Sequence, residues 1–465
     1  MSNPRDKARD RLLAIAQTLQ SPDPNYGLSE EFMAKLRAAL IADPLLPRAD
    51  PSISLWQVPP HPGVSNIQSP SLPRFADFVI IGSGITGCSV AKSLLEDDSL
   101  HPASRVVVLE ARTITSGATG RNGGQLVSPV GHTYSTLCRR YGEDAAKEMS
   151  RFSLMNIDRV MSTVKDLDPE LQAASEVRKV SKVMVSGDQE TWEASRKSLD
   201  AFRDAIPEHR KLHCVTEKED LAELNIKNGF GVIQHQVGAV WPYRLITGMF
   251  ERLLTQHPDR LSIETNTPAT KKAGPYLEHL GNQRSWSYLA KSTLDPVTGF
   301  FRSGLYYLQQ HGTTGDIWAG TDYSNLFDIL TSDDTSVPGH AVEALLRFLP
   351  EYFAKGWPSG ELPELKGVWT GLQGHTSDGI PLVGRLTKDL SGRDGEGEWF
   401  AGGYNGYGMD KAWMTGEALS SMITRNVVPD WFPKAFLMTE ERLQREVTVE
   451  KSVAKWVSIA KTGDW

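Results

Sequence analysis

Three glycines and one acid set the first chemical constraint. The run Gly82-Ser83-Gly84-Ile85-Thr86-Gly87 follows an apolar stretch and opens a helical one. In such a turn the first glycine permits the tight bend. The second lets backbone approach a pyrophosphate, and the third lets helix pack on strand. A helix starting there offers free N–H groups and the positive end of its dipole to phosphate. About twenty residues on, Glu110 ends a second apolar run, where a carboxylate accepts hydrogen bonds from a ribose. The acid disfavours a 2′-phosphate, and hence NADP, but leaves NAD and FAD both open. The glycine pattern alone also suits an ordinary strand–helix connection. Strand, turn, helix, strand and terminal acid in that order favour a dinucleotide.

These residues need rigid elements to hold them. Phe75 to Ile81 suits a buried parallel strand, Thr86 to Leu95 a helix and Val106 to Leu109 a second buried strand, which makes one βαβ unit. Upstream, Ser29 caps a helix through Phe32, Met33, Leu36 and Leu40. The prolines from Pro44 to Pro70 then predict an extended run over a surface. Downstream, helices are expected over Glu143 to Val164, Gln189 to Phe202 and Leu245 to Leu254, with strands at Lys182 to Ser186 and Leu261 to Thr265. From Trp286 to Ala319 the pattern becomes aromatic-rich strands. Ala341 to Phe348 reads as a helix, and Trp399 to Ala401 as a strand leading to a second Gly-rich turn and a helix through Leu419 and Met422. Parallel strands at both ends with an antiparallel block between them imply two interleaved domains.

A chain of 465 residues is long enough for two or three domains. A formal charge of −7 argues against nucleic acid as a partner. No apolar run approaches bilayer-spanning length, and Met1 to Gln20 has no signal core, so no membrane partner and a cytoplasmic location are expected. Cys88, Cys138 and Cys214 are scattered and form neither a disulfide framework nor a metal pair.

Two further segments separate FAD from NAD. After Glu110 come Ala111-Arg112 and then Ser116-Gly117-Ala118-Thr119-Gly120-Arg121-Asn122-Gly123-Gly124-Gln125. Near the C-terminus, Ser377-Asp378-Gly379-Ile380-Pro381-Leu382-Val383-Gly384 precedes Gly402-Gly403-Tyr404-Asn405-Gly406-Tyr407-Gly408-Met409. This set resembles the D-amino-acid-oxidase-type (DAO) FAD-dependent oxidoreductases, in particular fungal members of the subgroup containing γ-glutamylputrescine oxidoreductase. The resemblance runs in segments from Ile53 to Thr424. It implies an α/β fold, with a Rossmann-type FAD-binding domain interleaved with an antiparallel-sheet α+β substrate domain. Residues 1–74 would be an N-terminal extension, 75–175, 241–275 and 367–430 the FAD domain, 176–240 and 276–366 the substrate domain, and 431–465 a helical tail.

The resemblance assigns FAD to Gly82, Gly84, Ile85, Thr86 and Gly87, to Glu110, Ala111 and Arg112, and to Gly117, Thr119, Arg121, Asn122, Gly123, Gly124 and Gln125. A second set, Gly403, Tyr404, Asn405, Gly406, Gly408 and Met409, would face the flavin pyrimidine, where N–H donors stabilise charge on the reduced ring. The implied reaction is oxidation of an amine or amino-acid-like C–N bond by hydride transfer to flavin, with oxygen as a reoxidant. An aromatic wall of Trp286, Tyr288, Tyr306 and Tyr307 would keep the amine neutral, although such residues more often pack in a core than touch substrate, and only one of Tyr306 and Tyr307 can face the flavin. Tyr307 and His375 are the catalytic candidates, and Arg302 is a weaker candidate for a substrate carboxylate. The family pattern breaks after Thr270, where an internal stretch including a strand beside the dinucleotide is absent. That loss would expose strand edges. It leaves two rivals in play, a catalytically impaired relative acting as a binding protein and an NAD-linked dehydrogenase.

Overall fold

The computed structural model describes residues 28–42, 47–48, 50–266, 284–295, 298–302, 304–311, 314, 316–353, 355, 362–387, 390 and 397–462. Helix α1 (Glu30–Ile41) begins where the Phe32 N–H donates to the Ser29 hydroxyl, and its apolar stripe buries Phe32, Met33 and Leu36. The chain then passes Trp56 into β1 (Phe78–Ile81), α2 (Ile85–Leu95) and β2 (Val106–Leu109). Next come β3 (Gln125–Leu126), α3 (Val130–Tyr141), α4 (Glu143–Lys165), β4 (Arg178–Ser186) and α5 (Gln189–Ala205). After β5 (His213–Glu217) and β6 (Gly231–Ala239), α6 (Pro242–Gln256) returns the chain to β7 (Leu261–Glu264). Strands β8 (Arg284–Leu289), β9 (Leu305–Gln310) and β10 (Ile317–Thr321) precede α7 (Gly339–Tyr352). A hairpin of β11 (Leu382–Arg385) and β12 (Trp399–Gly402) leads to α8 (Ala412–Arg425) and the C-terminal α9 (Val449–Thr462).

Two sheets organise these elements. The first is parallel, in the order β1-β2-β7, with Ile81 beside Leu109 and Leu109 beside Glu264. Helices α2, α4, α6 and α8 share its core through Cys88, Leu94, Phe152, Phe250 and Met414. The sequence reading expects β1 to be buried, and the structure differs. Strand β1 has one partner among the described residues, so Val79 stays 56% and Ile81 87% exposed. The stretch suspected of deletion falls on residues 267–283, which lie outside the described residues.

The second sheet runs β10-β9-β8-β4-β6-β3, with β5 also on β6. Because side chains alternate along a strand, its two faces differ. One buries Val183, Val185, Trp286, Tyr288 and Leu308 against Phe348 and Leu349 of α7. The other carries Lys182, Ser285, Ser287, Tyr307, Gly320 and Trp318 in register. Part of that second face packs on α3 and α5 through Met184 and Leu199. The remainder opens on a cleft of about 3610 Å³ shared with the glycine turns.

Candidate active site

The first turn is built as its sequence requires. Gly82 sits at φ +103°, and a Cβ on Gly87 would lie 2.1 Å from the Gly82 carbonyl oxygen, so the helix closes on the strand only through glycine. Gly84 is the N-cap of α2 and makes no side-chain cap bond. The Ile85 N–H donates to the Thr119 hydroxyl at 2.9 Å. The Thr86 and Gly87 N–H groups have no described partner and point with the helix dipole toward the cleft that both residues line. Around Gly82 and Gly117, no protein atom lies within 4 Å of where a Cβ would stand.

Glu110 ends β2 as expected and turns back on the loop. Its carboxylate accepts from the Ser83 N–H at 3.0 Å, from the Ser83 hydroxyl at 2.6 Å and from the Arg112 N–H at 3.2 Å. The acid therefore shapes the glycine turn as well as standing at the strand tip. Ala111 follows it directly. Arg112 is engaged elsewhere, reaching Asp334, a buried carboxylate, at 2.9 Å. Arg121 lies 3.7 Å from the same Asp334 and donates to the Thr370 and Ser52 carbonyls at 2.8 and 2.6 Å. Burial pulls the Arg121 guanidinium down to about 10, against the pull of Asp334. The two arginines and Asp334 thus fasten distant segments around the loop from Gly117 to Gly124.

The second glycine segment converges on the first. The Tyr404 and Thr86 hydroxyls are 2.9 Å apart, and the Ser89 hydroxyl donates to the Trp413 carbonyl at 2.6 Å. Asn122 approaches the Met409 sulfur at 3.4 Å and accepts from the Gly124 N–H at 2.7 Å. Gly403 and Gly406 take φ +70° and +80°, with Asn405 between them at +52°. Asn405 holds that bend by accepting from the Thr376 N–H at 3.0 Å. Gly408 accepts from the Lys411 and Ala412 N–H groups and starts α8. The N-terminal extension braces the site, with Gln57 donating to the Gly120 carbonyl at 2.9 Å and Trp56 stacked 4.4 Å from Trp318.

The second sheet supplies the opposite wall. Tyr307 pairs with Gly320 across β9 and β10, and a Cβ on Gly320 would lie 2.2 Å from its ring. The same ring lies 3.4 Å from where a Cβ on Gly123 would stand, so it bridges sheet and cofactor loop. Gln125 donates to the Leu308 carbonyl at 2.8 Å. Of the expected aromatic wall, Trp286, Tyr288 and Tyr306 lie on the other face. Tyr306 stacks 4.1 Å from Phe348, because strand alternation sends neighbours to opposite sides. His375 is exposed, 3.0 Å from Gln373 and 6.5 Å from Trp456, neither of which belongs to the Tyr307 sheet. Arg302 is exposed and stands over Tyr323 at 5.9 Å.

Sequence reasoning missed three charged residues. Asp334 lies in a loop that no motif marks. Lys182 was visible as a cation inside an apolar strand, at the parity of Val180 and Met184, which is a signal for a buried charge. Asp322 follows a strand end and is framed by no glycine or proline. Both Lys182 and Asp322 line the cleft. Among the described residues no group of three or more metal-ligating side chains occurs, and no helix is long and apolar enough to cross a membrane.

Comparison with known proteins places this geometry. The family model described as FAD dependent oxidoreductase (DAO) matches residues 77–275 and 277–422. The chain is 42% identical over 71 residues to gamma-glutamylputrescine oxidoreductase of Escherichia coli, covering 15% of this chain and 16% of that protein. It is 35% identical over 83 residues to the probable oxidoreductase OrdL of Haemophilus influenzae, 18% of each. These aligned stretches therefore span less than a fifth of either curated relative. Among solved structures, L-proline dehydrogenase from P. horikoshii superposes with a TM-score of 0.52 at 16% identity, covering 78% of this chain and 98% of that one. Glycine oxidase from Geobacillus kaustophilus gives 0.50 at 15% identity over 78% and 98%. At such identities the likeness establishes the fold, a mixed α/β architecture shared with these proteins.

Proposed function

As a member of the FAD-dependent oxidoreductase (DAO) family, the chain takes FAD as its cofactor, and we propose that it oxidises an amine or amino-acid-like C–N bond. The observation that carries this reading is the meeting of the two glycine segments, Thr86 against Tyr404 at 2.9 Å, at the edge of one cleft. The residues present fit the dinucleotide. Open space flanks Gly82 and Gly117, the Thr86 and Gly87 N–H groups are available to a pyrophosphate, and Glu110 stands at the strand tip for a ribose. Arg112 and Arg121 support that site from behind through Asp334. When bound, the flavin supplies a two-electron acceptor for a hydride from the carbon beside nitrogen.

The chain does the rest. Tyr307, held against Gly320, closes the substrate side, and a bound ammonium gives up hydride only after it has lost its proton. Burial pushes the Tyr307 phenol well above its ordinary range, so it acts as a hydrogen-bond donor and not as a base at neutral pH. His375, lying off the sheet, suits a role at the mouth of the cleft better than one at the reacting carbon. Cys88, Cys138 and Cys214 are all unpaired thiols, which supports the reducing environment of the cytoplasm.

The visible spectrum of the purified protein tests this. The expected result is a yellow protein whose flavin bands bleach anaerobically on adding an amine and return in air. A colourless protein that takes up no added FAD would overturn the reading and leave a fold without its cofactor.

A further inference from the structure

The charges around the centre of the cleft are mostly neutralised in place. Arg112 pairs with Asp334 at 2.9 Å, Arg244 with Glu176 at 3.6 Å, Lys366 with Asp316 at 3.1 Å and Lys411 with Asp410 at 2.7 Å. Other lining residues lack such a pair, and two of them belong to the sheet face that carries Tyr307. Lys182, 2% exposed, and Asp322 make no hydrogen bond or ion pair among the described residues. Asp410 is the acid that attracts Lys182, and Lys411 and Ser153 already hold it. A buried charge without a partner is costly, so Lys182 calls for a ligand group that completes it, and half-buried Asp322 offers the opposite charge in the same cleft.

Their placement is set by the sheet. Lys182 lies beside Ser285, Ser285 beside Gln309, and Gln309 beside Trp318, which puts Lys182 three strands from β10. Asp322 stands one residue beyond β10, four residues along from Trp318 and on the same face as Gly320 and Tyr307. With strands roughly 4.8 Å apart and a rise of roughly 3.3 Å per residue, the two Cα atoms are on the order of 20 Å apart. Both side chains rise from the same face, so a lysine leaning along it shortens the gap between charged atoms only to roughly 15 Å. Burial pushes the Tyr307 and Tyr407 phenols upward and the Asp322 carboxylate adds to it, so both aromatic side chains lie within its field. That is the surround a cationic nitrogen prefers.

Resting on the amine-oxidation reading, we propose that the cleft takes an elongated zwitterion, with its ammonium at Asp322 between Tyr307 and Tyr407 and its carboxylate at Lys182. A compact α-amino acid carries both charges on one carbon and cannot reach both residues.

Calorimetric titration of the full-length, flavin-loaded protein tests the span. The probes are γ-aminobutyrate, ω-aminooctanoate and ω-aminododecanoate, with octylamine and octanoate as ligands lacking one charge. One of the two longer zwitterions is expected to bind about tenfold tighter than γ-aminobutyrate and than either single-charge ligand. Lys182→Met should lower the preferred zwitterion to the level of octylamine, and Asp322→Asn to the level of octanoate. Equal or tighter binding of γ-aminobutyrate, or unchanged affinity in a folded Lys182→Met protein, overturns the proposal. The wild-type ladder alone is decisive if a variant does not fold. A protein that bleaches with amines but shows no length preference sinks this inference alone. One that prefers long zwitterions and never bleaches sinks the reaction alone.

Discussion

The Tyr404 and Thr86 hydroxyls meet at 2.9 Å across 318 residues of sequence. This contact joins the N-terminal turn of α2 to the glycine loop before α8, and the packing of Gly416 on Ser89 continues it. Tyr404→Phe should cost about 1 kcal/mol of stability, the usual net worth of such a bond. It should also speed flavin release, because the bond sets the distance between the two loops. Burial pushes the Tyr404 phenol up to about 12, so the effect should not vary with pH across the neutral range. Urea unfolding and flavin fluorescence after dilution measure the two parts separately.

Gly87 and Gly117 make a contrasting pair. A Cβ on Gly87 would lie 2.1 Å from the Gly82 carbonyl oxygen, whereas one on Gly117 would meet no protein atom within 4 Å. Gly87→Ala should therefore destabilise the fold by about 1 to 3 kcal/mol, as overpacking does, and yield protein with little flavin. Gly117→Ala should leave stability within about 0.5 kcal/mol and still lower the ratio of flavin to protein, since the open space it fills is part of the proposed cofactor site. Equal flavin content in wild type and Gly117→Ala would remove Gly117 from the site.

Asp334 is the counter-charge for Arg112 and Arg121, which flank the proposed cofactor site. Removing one partner of a buried pair leaves an uncompensated charge and typically costs 3 to 5 kcal/mol. Asp334→Ala should fall in about that range in denaturant unfolding, because both Arg112 and Arg121 lose their acid. Replacing Arg112 alone by Met should cost less, since Arg121 still faces Asp334.

Much of this was legible from residue spacing. Gly82 to Gly87, Glu110 and the run to Gln125 bring together what their order implies, because a βαβ unit places its turn and its strand tips on one edge whatever surrounds it. The burial of β1 was not legible. An apolar strand reads as buried, yet Ile81 is 87% exposed, because burial depends on a neighbour that the strand's own sequence does not encode. The split of the aromatic block was half legible. Alternation separates Tyr306 from Tyr307, but only the position of α7 decides which face is core. Lys182, Asp322 and Asp334 belong to no motif, and their roles come from long-range register.

Lys182 and Asp322 together set a pH window. Burial lowers the Lys182 ammonium to about 8 and raises the Asp322 carboxyl to about 6, so both are ionised between those values. Affinity for a long zwitterion should peak in that window, falling in acid as Asp322 protonates and in base as Lys182 loses its proton. Three histidines in the electrostatic surroundings of Lys182 do not confuse the profile. Burial holds His132 at about 3, His213 at about 4 and His235 well below its ordinary value, so all three stay neutral. Stability should run the other way. A lysine whose folded pKa is depressed destabilises the fold below that pKa, and the deficit is recovered as pH rises from about 8 toward its ordinary value near 10.5. Lys182→Met should therefore stabilise the ligand-free protein by about 1 to 3 kcal/mol at pH 7, with the gain shrinking toward pH 10. Urea unfolding at both pH values measures it. A variant equally destabilised at both would mean that Lys182 serves packing and not ligand.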